Sequence, residues 1–302
     1  MKRAIVAGAT GAIGTALLSE LIKNNVEVLV LVRADSKRKN NIPVSPLVTV
    51  CECGMSDYAN AENHTDKQYD IFYHFAWAGA AGPGRHDMYL QNQNVKYALD
   101  AVGMAKRFGC KRFIGAGSQA EYGRHEGLLK ADTPTYPEMG YGYAKLCAGQ
   151  MTRDYAHQLG MEHIWTRILS VYGPNDGAQS MVMSTINKLQ SGEVPQFTKG
   201  EQMWDYLYSG DAARAFYLLG KKGIDGKTYV IGSGQAKTLA DYIKIIRDEV
   251  NSQAKIDLGA IPYAPKQVMH LQADIDELRK DTGFEPEMKF VDGIKEIIKG
   301  LW

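Results

Sequence analysis

The stretch Arg3-Ala4-Ile5-Val6-Ala7-Gly8-Ala9-Thr10-Gly11-Ala12-Ile13-Gly14 decides how the rest of the chain is read. A short apolar run ends in glycines, and Ala12-Ile13, Ala16-Leu17-Leu18 and Leu21-Ile22 then recur at helical spacing. The pattern predicts a buried strand, a tight turn and an amphipathic helix. Glycines at such a turn permit positive φ, let backbone approach a phosphate and let strand and helix pack closely, while the helix N-terminus attracts anions. The spacing is Gly-x-x-Gly-x-x-Gly rather than the Gly-x-Gly-x-x-Gly of the usual dinucleotide fingerprint. Its context, a strand before and a helix after, is the one in which a glycine loop holds a dinucleotide pyrophosphate. Gly8, Thr10, Gly11, Ala12, Ile13 and Gly14 are the residues expected to line it.

Outward from that loop the alternation persists. Val26 to Val32 reads as a second buried strand, followed by strands at 47–51 and 71–76, a helix at 88–108, a strand at 112–116, a helix at 142–159 and a strand at 163–169. Strands alternating with helices imply an α/β fold: a Rossmann-type, doubly wound parallel sheet with helices on both faces. After Tyr172-Gly173-Pro174 the rhythm loosens, with helices expected at 179–191, 210–220, 239–251, 273–281 and 291–299 and short strands near 204–208 and 227–231. Thr238, ahead of Leu239-Ala240-Asp241, has the character of a helix N-cap. Residues 1–172 are therefore expected to form the dinucleotide-binding domain. Residues 173–302 are expected to form mainly a smaller C-terminal α/β lobe that crosses back to the sheet near 204–220.

Composition narrows the function classes. The 302 residues carry 35 basic and 34 acidic side chains, a formal net charge of +1, which gives no support to a general nucleic-acid-binding surface. Cys51, Cys53, Cys110 and Cys147 include no Cys-x-x-Cys pair, so neither a metal site nor a disulfide framework is expected. The apolar run after Met1-Lys2-Arg3 breaks at Gly8, too soon for a signal peptide, and no window approaches the length of a membrane span. The expectation is a soluble, cytoplasmic protein with no membrane partner.

Two further stretches carry chemistry. An acid at the end of the second strand would bind the adenosine ribose of NAD(H); here Arg33 follows Val32 directly, with Lys37, Arg38 and Lys39 close behind. A guanidinium at that corner suits a 2′-phosphate, so NADP(H) is expected, with NAD(H) as the alternative, since Asp35 is also near. Tyr141-Gly142-Tyr143-Ala144-Lys145 places a phenol and an ammonium four residues apart on one helix face, where the positive charge would favour the phenolate.

With these residues assembled, the chain resembles the extended short-chain dehydrogenase/reductase family, in particular its nucleotide-sugar epimerase/dehydratase group. The landmarks are the glycine loop, His74-Phe75-Ala76, Asn94-Val95, Ser118 ahead of Tyr122-Gly123, Tyr141 and Lys145, Arg167 ahead of Tyr172-Gly173-Pro174, and Trp204-Asp205-Tyr206 ahead of Asp211. The resemblance implies Tyr141 as general acid or base, Lys145 on the nicotinamide ribose, and Ser118 holding the reacting oxygen, with Ala76 and Asn94 beside the cofactor. His74 is expected in the core or lining the cofactor. The C-terminal lobe would bind the substrate, and helices 88–108 and 142–159 would form a homodimer interface.

Departures from the family pattern bear on the reaction. Gln119-Ala120 stands where the dehydratases carry Asp-Glu, so elimination lacks its acid and base. Trp204 replaces the arginine that grips the nucleotide diphosphate, Ser170 replaces an asparagine, and Gly54 stands where an acid meets adenine. Lys188, Lys199, Lys266 and His270 are candidate substitutes for the missing charge; Arg85, Gln119, Glu121, Ser170 and Trp204 are candidate substrate contacts. The leading expectation is an NADPH-dependent reductase of a keto group on a nucleotide-activated sugar. The alternative is a nucleotide-sugar 4-epimerase with tightly bound NAD. A reductase of small non-nucleotide carbonyl compounds and a non-catalytic NADP-binding protein complete the set.

Overall fold

The computed structural model describes residues 1–300. The first segments follow the alternation: β1 (Arg3–Ala7), α1 (Ala12–Lys23), β2 (Glu27–Val32), β3 (Val48–Glu52), β4 (Ile71–His74), α2 (Met88–Arg107), β5 (Arg112–Ser118) and α3 (Gly140–Gln158). With the strands Glu162–Ile168 and Thr228–Ile231 they build a seven-stranded sheet. Its order is Thr228–Ile231, Glu162–Ile168, β5, β4, β1, β2, β3, and every pairing is parallel.

Side chains of β1 alternate between two cores, as the two-residue period of a strand requires. Ala4 and Val6 face Leu17, Leu21, Ala212 and Phe216, whereas Ile5 and Ala7 face Ala101, Ala105 and Ala156. One face of the sheet is thus covered by α1 and the helix Ser209–Lys222, the other by α2 and α3. The strand order reverses at β1, which lies between β2 and β4. A crevice opens at such a switch point, outside the carboxyl ends of the two diverging strands, here at Gly8 and Ala76.

The second lobe is organised by the strand Met203–Tyr208, which pairs with Ala236–Thr238, with His270–Ala273 and with Ser170–Tyr172. Asp205, fully buried, holds the arrangement: its Oδ1 accepts from the Ser233 amide and hydroxyl, and its Oδ2 from the Gly234 and Ala273 amides. The helix expected at 273–281 begins only at Asp276, because residues 270–273 are drawn into this sheet. Thr238 does cap the helix Leu239–Asn251, accepting from the Asp241 amide at 3.2 Å. No helix among the described residues is long and apolar enough to cross a membrane.

Helix α3 starts at Gly140, so Tyr141 sits inside its first turn rather than at its entrance. Close packing explains the shift. A Cβ on Gly140 would lie 2.9 Å from Met88 Sδ, and one on Gly142 would strike the Ala120 carbonyl and lie 2.9 Å from Pro137 Cβ. The two glycines let the helix begin early, pressed against the turn that follows β5.

Candidate active site

The glycine loop is shaped by the protein at two positions and by something else at the third. Gly8 has φ +83°, and a Cβ there would lie 2.6 Å from the Ala76 nitrogen. A Cβ on Gly14 would strike the Gly8 carbonyl and lie 2.6 Å from Ala9 Cα. Gly11 has φ −93° and ψ 176°, allowed to any residue, and a Cβ there would meet nothing within 4 Å. Gly11 is also the N-cap of α1, which has no side-chain cap and no acid in its first turn. Open space over free helix N–H groups, flanked by Thr10, Ala12 and Ile13, fits a dinucleotide pyrophosphate.

At the carboxyl ends of β2 and β3 lies a cavity lined by Arg33, Asp35, Gly54, Ser56, Asp57 and Tyr97. The basic corner around it is partly spent on internal contacts. Lys39 pairs with Glu52, Arg38 Nη2 donates to the Asn175 carbonyl at 3.3 Å, and the exposed Arg33 lies 3.7 Å from Asp35. A carboxylate is nevertheless present at Gly54: Asp57, three residues on, accepts from the Gly54 amide at 2.8 Å.

Past Ala76, the chain brings Trp77, Arg85, Ser118, Tyr141 and Lys145 together. Lys145 is buried; its Nζ donates to the Ala116 carbonyl at 2.6 Å and sits over the Trp77 ring, 3.7 Å from the centroid. Burial pulls its pKa down to about 7, against the attraction of Glu121. Trp77 stands perpendicular to Tyr141, centroids 6.3 Å apart, and the Arg85 guanidinium lies 4.8 Å over the other ring. The expected depression of the Tyr141 pKa by Lys145 does not appear. Burial holds the phenol above its ordinary value, while the Ser118 side chain and Arg85 act in the other direction. The charge nearest the phenol ring is Arg85, with Lys145 Nζ further off at 5.8 Å.

The remaining candidates separate by direction. Glu121 turns inward: its carboxylate accepts from the Ser118 amide at 2.8 Å, Trp165 Nε1 at 3.1 Å and Arg167 Nε at 2.9 Å, and its side chain is 1 % exposed. Oε2 is paired with Arg167 and Oε1 is taken by the Ser118 amide and Trp165, so the carboxylate is turned inward rather than to the cleft that was expected to receive it; burial still pushes the carboxyl up. Gln119 is half-buried in the same turn. Asn94, also buried, clamps the backbone of Ala78, accepting from its N–H at 3.0 Å and donating to its carbonyl at 2.9 Å. Trp204 Nε1 donates to Ser170 Oγ at 2.7 Å, joining two candidates. Lys188, Lys199 and Lys266 are exposed, and His270 lies in a strand of the second lobe. His74 is buried among Tyr58, Phe72 and Phe113 and held neutral, its pKa near 3. Among the described residues no cluster of three or more His, Cys, Asp or Glu could hold a metal ion.

Sequence reasoning passed over Trp77 and Gln91. Trp77 Nε1 donates to Gln91 Oε1 at 2.8 Å, and the Gln91 amide donates to the Gly79 and Gly84 carbonyls. The signal was present: Gln91 is three residues before Asn94, on one face of α2.

Comparison with known proteins agrees with this fold. A putative UDP-glucose 4-epimerase of Methanocaldococcus jannaschii is 25% identical over 98% of this chain and 97% of its own length. A dTDP-4-dehydro-6-deoxyglucose reductase of Escherichia coli is 29% identical over 64% of this chain and 62% of its own. The structure of a UDP-glucuronic acid 4-epimerase from Bacillus cereus, in complex with UDP-glucuronic acid and NAD, superposes with a TM-score of 0.86 at 21% identity, covering 99% of this chain and 100% of that one. The NAD dependent epimerase/dehydratase family model matches residues 4–232, and with relatives that run the length of the chain, the chain belongs to that family of extended short-chain dehydrogenase/reductase enzymes.

Proposed function

We propose that the enzyme inverts a ring carbinol of a nucleotide-activated sugar, as a 4-epimerase working with a retained NAD. The observation that carries this reading is the direction of Glu121: this carboxylate of the turn adjoining Tyr141 is locked against Arg167 and is not offered to the reacting centre as an acid or base. Without a second free carboxyl, elimination is unsupported, and oxidation and reduction at one carbon remain. A dinucleotide held by its pyrophosphate at the glycine loop would supply the hydride acceptor and donor.

The chain's own residues supply the rest. Tyr141 exchanges the hydroxyl proton, acting as phenolate where the positive charge of an oxidised dinucleotide beside it would offset the burial that otherwise holds the phenol up, while Ser118 holds the same oxygen and Lys145 lends positive charge behind both. Gly8 and Gly14 let the loop close on the sheet, Gly11 gives the pyrophosphate its approach, and Ala76 packs beside it. Arg85 is placed for an oxyanion of the substrate, and Trp204 and Ser170 for its sugar or base. The partial pairing of Arg38 and Lys39 weakens the case for a 2′-phosphate and favours NAD(H).

Net reduction by NADPH stays as a second reading because Arg33, not an acid, follows β2. Mass spectrometry of the cofactor released from purified protein separates the two, together with a screen of NADPH against 4-keto sugar nucleotides. Co-purifying NAD and epimerisation without net redox change support the first; stoichiometric NADPH consumption, with Arg33→Ala weakening NADP(H) more than NAD(H), overturns it in favour of the second. We also place a homodimer interface on the outer face of α2 and α3, where Tyr143, Cys147 and Met151 lie exposed at successive turns of α3.

A further inference from the structure

We propose that Trp77 is a positioning residue for Lys145: its indole face, held by Gln91, favours the charged ammonium over the neutral amine and leaves it a single N–H to offer to the cleft. The inference rests on the reading of Lys145 as the positive charge behind the reacting centre. A lysine ammonium has three N–H donors. One goes to the Ala116 carbonyl at 2.6 Å, and the ring face at 3.7 Å takes the second.

A buried ammonium without a counter-charge is costly. Lys145 is 3% exposed, and among the described residues no carboxylate forms an ion pair with it. Glu121 is the acid that attracts it, yet that carboxylate is already engaged by Arg167, Trp165 and the Ser118 amide. The π face of Trp77 is what remains to offset desolvation.

The ring is not free to swing away. Gln91 Oε1 receives the indole N–H at 2.8 Å, and Gln91 Nε2 in turn ties the Gly79 and Gly84 carbonyls at 3.0 and 2.8 Å. Asn94 clamps Ala78 on both its amide and its carbonyl. Gly79 and Gly84 approach so closely that a Cβ on Gly84 would lie 2.8 Å from Gly79 Cα. A loop held by two buried amides and two glycines is the scaffold of a fixed ring.

The other titratable groups around Lys145 come from each element packed on it. They are His74 from β4, Glu121 with Arg167 behind it from the turn after β5, Tyr141 one turn earlier on α3, and Arg85 over the Tyr141 ring. His74 stays neutral down to about pH 3, and burial keeps the Tyr141 phenol protonated above its ordinary value. A transition near neutral pH at this ring therefore belongs to Lys145, whose pKa is about 7.

Intrinsic tryptophan fluorescence, followed from pH 5 to 9 on the whole protein, reads the contact without substrate or turnover. The expected result is a transition near pH 7 in the wild type that disappears in both Trp77→Phe and Lys145→Met. His163, stacked on Trp165, has its pKa near 3 and lies outside the window. A transition that persists in Trp77→Phe, or none in the wild type, overturns the proposal.

Kinetics supply the second measurement. Trp77→Leu keeps the site apolar and removes the π face, so the Lys145 pKa falls and the alkaline limb of kcat/KM moves down by about one pH unit. Gln91→Leu, which frees the ring, moves it the same way by less and serves if Trp77→Leu does not fold. An unmoved limb in the folded variants overturns the proposal. If the fluorescence transition behaves as expected while Tyr141→Phe retains full activity, the catalytic reading fails and the Trp77–Lys145 contact stands.

Discussion

Two alanine substitutions in one loop should have opposite consequences. At Gly14 a Cβ would strike the Gly8 carbonyl and lie 2.6 Å from Ala9 Cα, and both neighbours are backbone that cannot rotate aside. Overpacking costs about 1–3 kcal/mol, and with backbone on both sides Gly14→Ala should sit at the upper end, about 3 kcal/mol. At Gly11 the same methyl meets no atom within 4 Å, and φ −93° suits alanine. Gly11→Ala should move stability by no more than about 1 kcal/mol, since alanine has fewer unfolded conformations to lose but is a poorer helix N-cap than glycine. Its methyl would instead occupy the approach to the helix N-terminus, and a clash of about 1.4–3 kcal/mol there lowers dinucleotide affinity roughly 10- to 100-fold. Urea unfolding of the apo protein measures the first quantity and calorimetric titration with NAD(H) and NADP(H) the second. If Gly11→Ala binds both cofactors like the wild type, the pyrophosphate does not lie where the open glycine places it.

Glu121→Gln leaves the Arg167 guanidinium buried without its counter-charge and sets an amide N–H against the N–H groups of Arg167 or Trp165. Loss of one partner of a buried pair costs about 3–5 kcal/mol; the double change Glu121→Leu with Arg167→Leu should recover most of it, and a urea midpoint unmoved in Glu121→Gln would refute the assignment. His74 and His163 both have pKa values near 3 in the fold against 6.5 for a free imidazole. The unfolded chain takes up those protons first, so stability is complete above pH 6.5 and falls as pH drops toward 3, by about 1.4 kcal/mol per unit for each group. Among the described residues neither ring nitrogen of His74 has a partner, so His74→Phe should hold or raise neutral-pH stability and remove one group's share of the acid slope. A slope identical to wild type in thermal melts at pH 4–6 would show that the imidazole is not held neutral.

The large sheet was legible because its signals are local and long. Apolar runs at residues 3–7 and 26–32, separated by a helix-spaced stretch, leave few alternatives. The second lobe was less legible because its strands are short and paired at a distance. Residues 270–273 carry no strand pattern of their own and become one only beside Met203 and Trp204. At the site, Tyr141, Lys145 and Ser118 do converge, but the electrostatics did not follow from spacing. Four residues on a helix brought Lys145 near Tyr141, yet the ammonium turned to Trp77 and to Ala116, and Arg85 lies closer to the phenol ring. Likewise Glu121 looks like a loop carboxylate in one dimension; Trp165 and Arg167, more than forty residues away, turn it inward.

The strand Thr228–Ile231 has a bearing on how the molecule is made. It closes the edge of the large sheet beside Trp165–Ile168, but it emerges from the ribosome after the helices Met181–Gln190 and Ser209–Lys222. Throughout that interval the nascent sheet presents Glu162–Ile168 as an open edge, the kind of surface that recruits foreign strands. Segments released before residue 231 should therefore depend on chaperones or aggregate. In the finished protein the chain passes between the two larger sheets more than once, into the second at Ser170–Tyr172, back to the first at Thr228–Ile231 and out again at Ala236–Thr238.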